Sequence, residues 1–269
     1  MKIYKSIAIL IFIMSAITFL LTGNVTAQEI GQDVDNVNIP IFLPIVTNSS
    51  SSPYIRNGAD PNFEPSKELL DHRKAKDEAL QQTVKAAYYK GSNYLSVGTW
   101  LEPNDYAHRN YCGPGAGQVA LDAQLPNSQV PDIDTLGTEM SIDPNFGVYM
   151  HNVCPALNDR LGGSPYVYDV AANQSELTGW ILANIDNGYA TITGVKTGAM
   201  QGWGGENINH IVATYGYSNV YVETSGTYGN VNYIETSGSM AGYNGSYHVA
   251  APLSSFWGYV SLNNAQCRW

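Results

Sequence analysis

Nine residues constrain this chain more than any others: Asn110-Tyr111-Cys112-Gly113-Pro114-Gly115-Ala116-Gly117-Gln118. Proline suits the first turn of a helix, where its missing N–H would go unpaired anyway, so Pro114 predicts a helix over 113–121 after an irregular loop. Gly113, Gly115 and Gly117 are poor helix formers, and their presence requires backbone that is closely packed or accessible. Cys112 falls at the helix N-terminus, where exposed N–H groups and the macrodipole favour a thiolate. The same N–H groups suit a developing oxyanion. From residue types alone, Cys112 reads equally as a catalytic thiol and as a buried structural cysteine.

Compartment bears on that choice. Lys2 and Lys5 precede an uncharged run from Ile7 to Leu21, and Val25-Thr26-Ala27 offers a small-residue cleavage site. This is the pattern of an export signal over 1–27. A 15-residue run falls short of the roughly 20 residues that span a bilayer, so no stable membrane insertion is expected after processing. The chain is therefore read as secreted, into surroundings where cysteines pair. Three cysteines, Cys112, Cys154 and Cys267, allow three pairings and leave one thiol over. If Cys112 is kept reduced for chemistry, the bridge is Cys154 to Cys267.

Residues 28–90 read as an N-terminal extension. Its first part is rich in Asn, Asp, Ser and Pro, with a proline-broken apolar stretch over 39–46 that could dock as an edge strand. One helix is predicted from Ser66 to Tyr89, closed by Gly91. Seven of the 13 basic residues lie between Arg56 and Lys90, whereas four basic residues face 14 acids from Gly91 onward. That shift marks a boundary, with a second domain over 91–269. Within it, helices are predicted at 113–121, 148–161, 174–185 and 253–263. Asn173-Gln174-Ser175-Glu176 resembles a capping box for the third of these. Strands are predicted at 166–170, 189–195, 210–217, 220–224, 231–236 and 247–250. Helices early and antiparallel strands late indicate an α+β fold, with N-terminal helices packed on an antiparallel sheet.

A thiolate nucleophile needs a base. His72, His108, His151 and His248 lie in a basic helix, a charged loop, a helix and a polar hairpin. His210 differs, because it opens the apolar strand Ile211-Val212-Ala213-Thr214-Tyr215-Gly216-Tyr217 after Trp203-Gly204-Gly205. A strand end holds an imidazole rigidly toward a cleft. Acids follow on the next strands at Glu223 and Glu235, each opening the word Glu-Thr-Ser-Gly.

The words from Asn110 to Gln118, Asn187-Gly188-Tyr189, His210 to Tyr217, Tyr233-Ile234-Glu235-Thr236 and Phe256-Trp257 together resemble the bacteriocin-processing-type, leader-peptidase-like cysteine peptidases, in their stand-alone secreted branch. The resemblance covers about residues 92–265. It implies a papain-like fold, Cys112 as nucleophile, His210 as general base and a peptide or protein substrate. Glu235 stands where the family usually has Asp, often followed by Pro, and is taken as the acid that orients His210, with Glu223 as rival. The family's glutamine shortly before the cysteine has no counterpart, since no Gln occurs between Ser92 and Cys112. Asn104, Asn110 or backbone N–H groups are left to supply the oxyanion donor. A thiol paired in this way is expected to ionise well below the roughly 8.5 of a free cysteine.

Other classes fare worse. A formal charge of −10 is a poor match for a polyphosphate backbone, so no nucleic-acid partner is expected. No Cys-x-x-Cys or His-x-x-x-His spacing, calcium loop, phosphate loop or dinucleotide fingerprint occurs, and no cofactor is expected. Nothing in the sequence sets an oligomeric state. A catalytically weak or silent peptide- or glycan-binding domain on the same scaffold is the alternative function. An amidase or acyl transferase using the same thiol and histidine is a third.

Overall fold

The computed structural model describes residues 57–81, 88–223 and 226–269, which lie in one compact unit spanning 50–269. The export signal and the expected edge strand over 39–46 lie outside the described residues. In chain order the elements are helix α1 (Lys67–Gln81), strand β1 (Tyr88–Tyr94), helices α2 (Cys112–Asp122), α3 (Ile133–Glu139) and α4 (Met150–Leu161), strand β2 (Val167–Asp169), helix α5 (Gln174–Asp186), strands β3 (Thr191–Lys196), β4 (Asn209–Glu223), β5 (Gly226–Ile234) and β6 (His248–Pro252), helix α6 (Leu253–Val260) and strand β7 (Gln266–Arg268).

β4 is the spine of a seven-stranded sheet ordered β2-β7-β3-β4-β5-β6, every pairing antiparallel. Along one edge β4 pairs first with β3 and then with β1, while β5 follows the other edge. Side chains alternate across a strand, so its apolar residues divide between two cores. Ile211, Ala213 and Ile234 pack with α2, α3 and α4, and Val212, Val231 and Tyr233 pack with α5 and α6. The fold is thus mixed helix and antiparallel sheet, with helices on both faces rather than N-terminal helices alone.

Several elements differ from the sequence reading. The two strands expected at 210–217 and 220–224 are one, carried through a register shift where Asn219 takes a positive φ of 52°. The helix expected to run to Tyr89 is assigned only to Gln81, and residues 88–94 pair with β4. Gly91, with φ 84°, sits at a register irregularity within β1 and closes no helix. The composition shift at residue 91 therefore falls inside the sheet, not between compact units. The helix after Pro252 stops at Val260. α3 has no counterpart in the sequence reading, although Asp132 caps it by accepting from the Thr135 N–H at 2.9 Å. The α5 cap forms with a variation: Asn173 accepts from Glu176 N–H, while the Glu176 carboxylate reaches back to Ala172 N–H.

A disulfide joins Cys154 in α4 to Cys267 in β7, with Cα atoms 5.5 Å apart, and leaves Cys112 free. Next to it, Arg268 is fully buried against Asp169 and Asp77, fastening the sheet edge to α1. The three glycines of α2 are there for close packing. A Cβ on Gly113 would collide with the Cγ1 of Val148, one on Gly117 would meet the end of Met140, and one on Gly115 would press on Thr236. Every residue from Cys112 to Leu121 is buried.

Gly113→Ala tests this packing. Helix propensity favours alanine by about 1 kcal/mol. The collision with a buried, branched neighbour should nonetheless leave a net loss of about 1–3 kcal/mol in denaturant unfolding. A variant as stable as the parent would contradict the close approach.

Candidate active site

Because β4 and β5 are antiparallel, the start of one meets the end of the other. His210 is the second residue of β4 and Glu235 directly follows β5, and their side chains meet with Nε2 to Oε1 at 2.6 Å. Both are almost completely buried. The remaining Glu235 interactions are also fixed: Trp203 Nε1 donates to Oε2 at 3.1 Å, and the Ser237 N–H donates to Oε1 at 3.1 Å. The Trp203 ring lies against the imidazole, with centroids 4.9 Å apart.

α2 brings Cys112 to the same place. Cys112 and His210 line one cleft, close enough that each shifts the ionisation of the other. Since Glu235 occupies Nε2, the nitrogen left for sulfur is Nδ1. The Thr236 hydroxyl donates to the Cys112 carbonyl at 3.4 Å, so the acid's own strand end also steadies the helix start. All three residues singled out from the sequence, Cys112, His210 and Glu235, therefore converge. Glu223 does not join them; it is exposed at the opposite end of β4 from His210.

The other histidines are engaged elsewhere. His108 lies between Asp105 and Asp134, His151 stacks between Phe63 and Tyr149, and His248 bonds Thr99 and Tyr215. His72 is on α1. Neither asparagine proposed as an amide donor has its amide directed at the thiol: Asn104 donates to Ser239 Oγ and Asn110 to the Pro144 carbonyl. Trp203, the Ser237 N–H and Glu102 were not assigned site roles from sequence. A large aromatic among glycines just before His210 was the available signal for Trp203. The flanking Trp100, Leu101 and Pro103 were the signal that Glu102 is buried.

Electrostatics correct one expectation. Burial pushes the Cys112 thiol up, and this outweighs the His210 charge and hydrogen bond that pull it down. The helix-start argument assumed a partly exposed thiol, but Cys112 is only 2% exposed. For His210 burial opposes the charged form, yet the Glu235 and Cys112 charges and hydrogen bonds prevail and raise it well above the usual histidine range. A proton leaving sulfur therefore meets a strengthened base.

A cleft of about 180 Å³ opens over Cys112 and His210, walled by Asn57, Arg109, Asn145, Trp203, Glu206 and Met240. The thiol and imidazole thus open onto a cleft of mixed polar and apolar lining, where attack on an acyl group is chemically possible. Among the described residues no three or more His, Cys, Asp or Glu side chains gather where a metal ion could be held.

Among solved structures, a recombinant stem bromelain precursor is similar over 80% of this chain and 77% of that chain, with a TM-score of 0.40 and 10% sequence identity. No protein-family model matches the chain, and no curated protein matches it either. At that TM-score and identity the likeness establishes neither fold family nor activity.

Iodoacetamide labelling of Cys112 reads these charges directly. In the resting protein it should accelerate only above the roughly 8.5 of a free thiol. His210→Ala should move the midpoint higher still, because the imidazolium that favours the thiolate is gone. Fast labelling of the parent at pH 5 would contradict a thiol governed by burial.

Proposed function

We propose that this chain is a secreted, papain-like cysteine peptidase of the bacteriocin-processing type, hydrolysing peptide bonds through Cys112, His210 and Glu235. The observation that carries the reading is the convergence of a reduced thiol, a buried imidazole and a fully hydrogen-bonded carboxylate beneath one cleft. Secretion rests on the N-terminal sequence pattern alone.

In this mechanism Cys112 Sγ attacks the peptide carbonyl as its proton passes to Nδ1 of His210. Glu235, accepting at Nε2, holds the ring in place and balances the imidazolium charge. The imidazolium then protonates the leaving amine, and water, activated by the same histidine, hydrolyses the thioester. At the start of α2 the Gly115 N–H already donates to the Tyr111 carbonyl and Pro114 has no N–H, so the Cys112 and Gly113 N–H groups are the backbone candidates for oxyanion donor. The sequence has no Gln between Ser92 and Cys112 to serve as oxyanion donor, and the Asn104 and Asn110 amides donate elsewhere. Turnover is therefore expected to be slow, since one such donor is worth roughly 100- to 1,000-fold.

That missing amide favours one rival, a binding domain without catalysis. The two readings separate in a peptide pool analysed by mass spectrometry. The peptidase reading expects cleavage that Cys112→Ala abolishes, that Glu235→Gln lowers by roughly 100-fold or more, and that Glu223→Gln leaves within about twofold. The absence of cleavage by the parent, with peptide capture unchanged in Cys112→Ala, would establish the binding domain instead.

A further inference from the structure

Glu102 is a buried acid that the mechanism above leaves unused. It is only 4% exposed, and neither carboxylate oxygen completes a hydrogen bond. Its backbone N–H donates to the Thr236 carbonyl at 2.9 Å, which seats it between the residues that follow β5 and the start of α2. Thr236 directly follows Glu235, and its hydroxyl donates to the Cys112 carbonyl at 3.4 Å, so Glu102 is held one backbone contact from both. The charged and polar groups that act on it are Glu235 and Ser237 after β5, Tyr111 and Cys112 at the start of α2, and His210 on β4. Two buried carboxyl groups therefore share the surroundings of one thiol and one imidazole.

An isolated carboxylate without partners in such a place is costly, and the neutral acid is the cheaper form. Burial pushes Glu102 up to about 7, assisted by the Glu235 charge. Ser237, the His210 charge and the Tyr111 amide oppose it, although neither Ser237 nor Tyr111, whose N–H donates to the His108 carbonyl, completes a hydrogen bond to the carboxyl. Its charge thus changes within the neutral range. Linkage makes the interaction reciprocal: if the His210 charge eases ionisation of Glu102, ionised Glu102 must hold the proton of the thiol–imidazole pair more tightly. The Glu102 charge also acts directly on Cys112, disfavouring the thiolate.

We propose that Glu102 is a positioning acid for the Cys112–His210 pair, a pH-dependent brake that retains the pair's proton when charged and releases it when neutral. This rests on the peptidase reading for its consequence in turnover, but not for its effect on the thiol. Ionisation adds a second negative charge beside Glu235, so the pair goes from one positive charge to none less readily. No proton need pass between Glu102 and substrate.

Glu102→Gln is the test, because glutamine keeps the shape and hydrogen-bonding end of the neutral acid while abolishing its charge. The rising limbs of Cys112 alkylation and of kcat/KM against pH should both move down by roughly one unit, about tenfold at a fixed pH on the limb. A residue with only a structural role would change rates without moving either midpoint. Coincident midpoints in parent and variant, with cleavage intact, would overturn the proposal and leave the peptidase reading standing. A shifted alkylation midpoint with no cleavage by either protein would uphold the brake and sink the peptidase reading.

Thermal melting supplies the second measurement. A carboxyl raised on folding contributes stability that is present below the ordinary carboxylate range and is lost as pH rises to about 7. The parent's Tm should therefore fall relative to that of Glu102→Gln between pH 4.5 and pH 7. A variant whose Tm is lower than the parent's by the same margin at pH 5 and pH 8 would contradict a carboxylate held without partners.

Discussion

The contact between His210 and Glu235 is the constraint on which the rest of this molecule's chemistry depends. Both side chains are out of water, so each needs the other, and removing one partner from such a pair commonly costs about 3–5 kcal/mol. The pair is affordable only because the other Glu235 interactions are supplied by Trp203 and the Ser237 N–H. It also depends on register. A one-residue slip of β4 against β5 would turn His210 to the opposite face of the sheet, and the split of Ile211, Val212 and Ala213 between two cores prevents that slip.

Placing sulfur beside that pair falls to α2. A helix of ordinary composition could not enter the space between Val148, Thr236 and Met140, which is why three glycines are kept despite their cost to helix stability. The disulfide ties α4, a helix that packs on α2, to β7 of the sheet within the same core. The consequence of packing Cys112 so completely is electrostatic. Burial that positions the thiol also raises it, so the strength of the base, set by Glu235, becomes the quantity that matters.

Much of this arrangement was legible in the sequence because it rests on local signals. Pro114 after Cys112 marks a helix start, His210 at the head of an apolar alternation marks a strand end, and an odd cysteine count leaves one thiol over. What was not legible depends on distant contacts. Tyr88 and Tyr89 read as the tail of a helix until β4 offers an edge to pair with. The short α3 is held by its cap and by burial of Ile133 and Leu136, not by a long period. The raised thiol was missed for the same reason: a helix N-terminus is visible in one dimension, whereas the depth of the residue is not. Glu102 lies ten positions before Cys112, and only the fold brings its carboxyl into the same charged cluster.

The most direct measurement of the central account is capture of the covalent intermediate. Protein mixed with a peptide substrate, quenched in acid within the first turnover and digested for mass mapping, should carry the acyl fragment on Cys112 as a thioester cleaved by hydroxylamine. Accumulation of cleaved peptide with no acyl group on Cys112, or with the adduct on another residue, would contradict it.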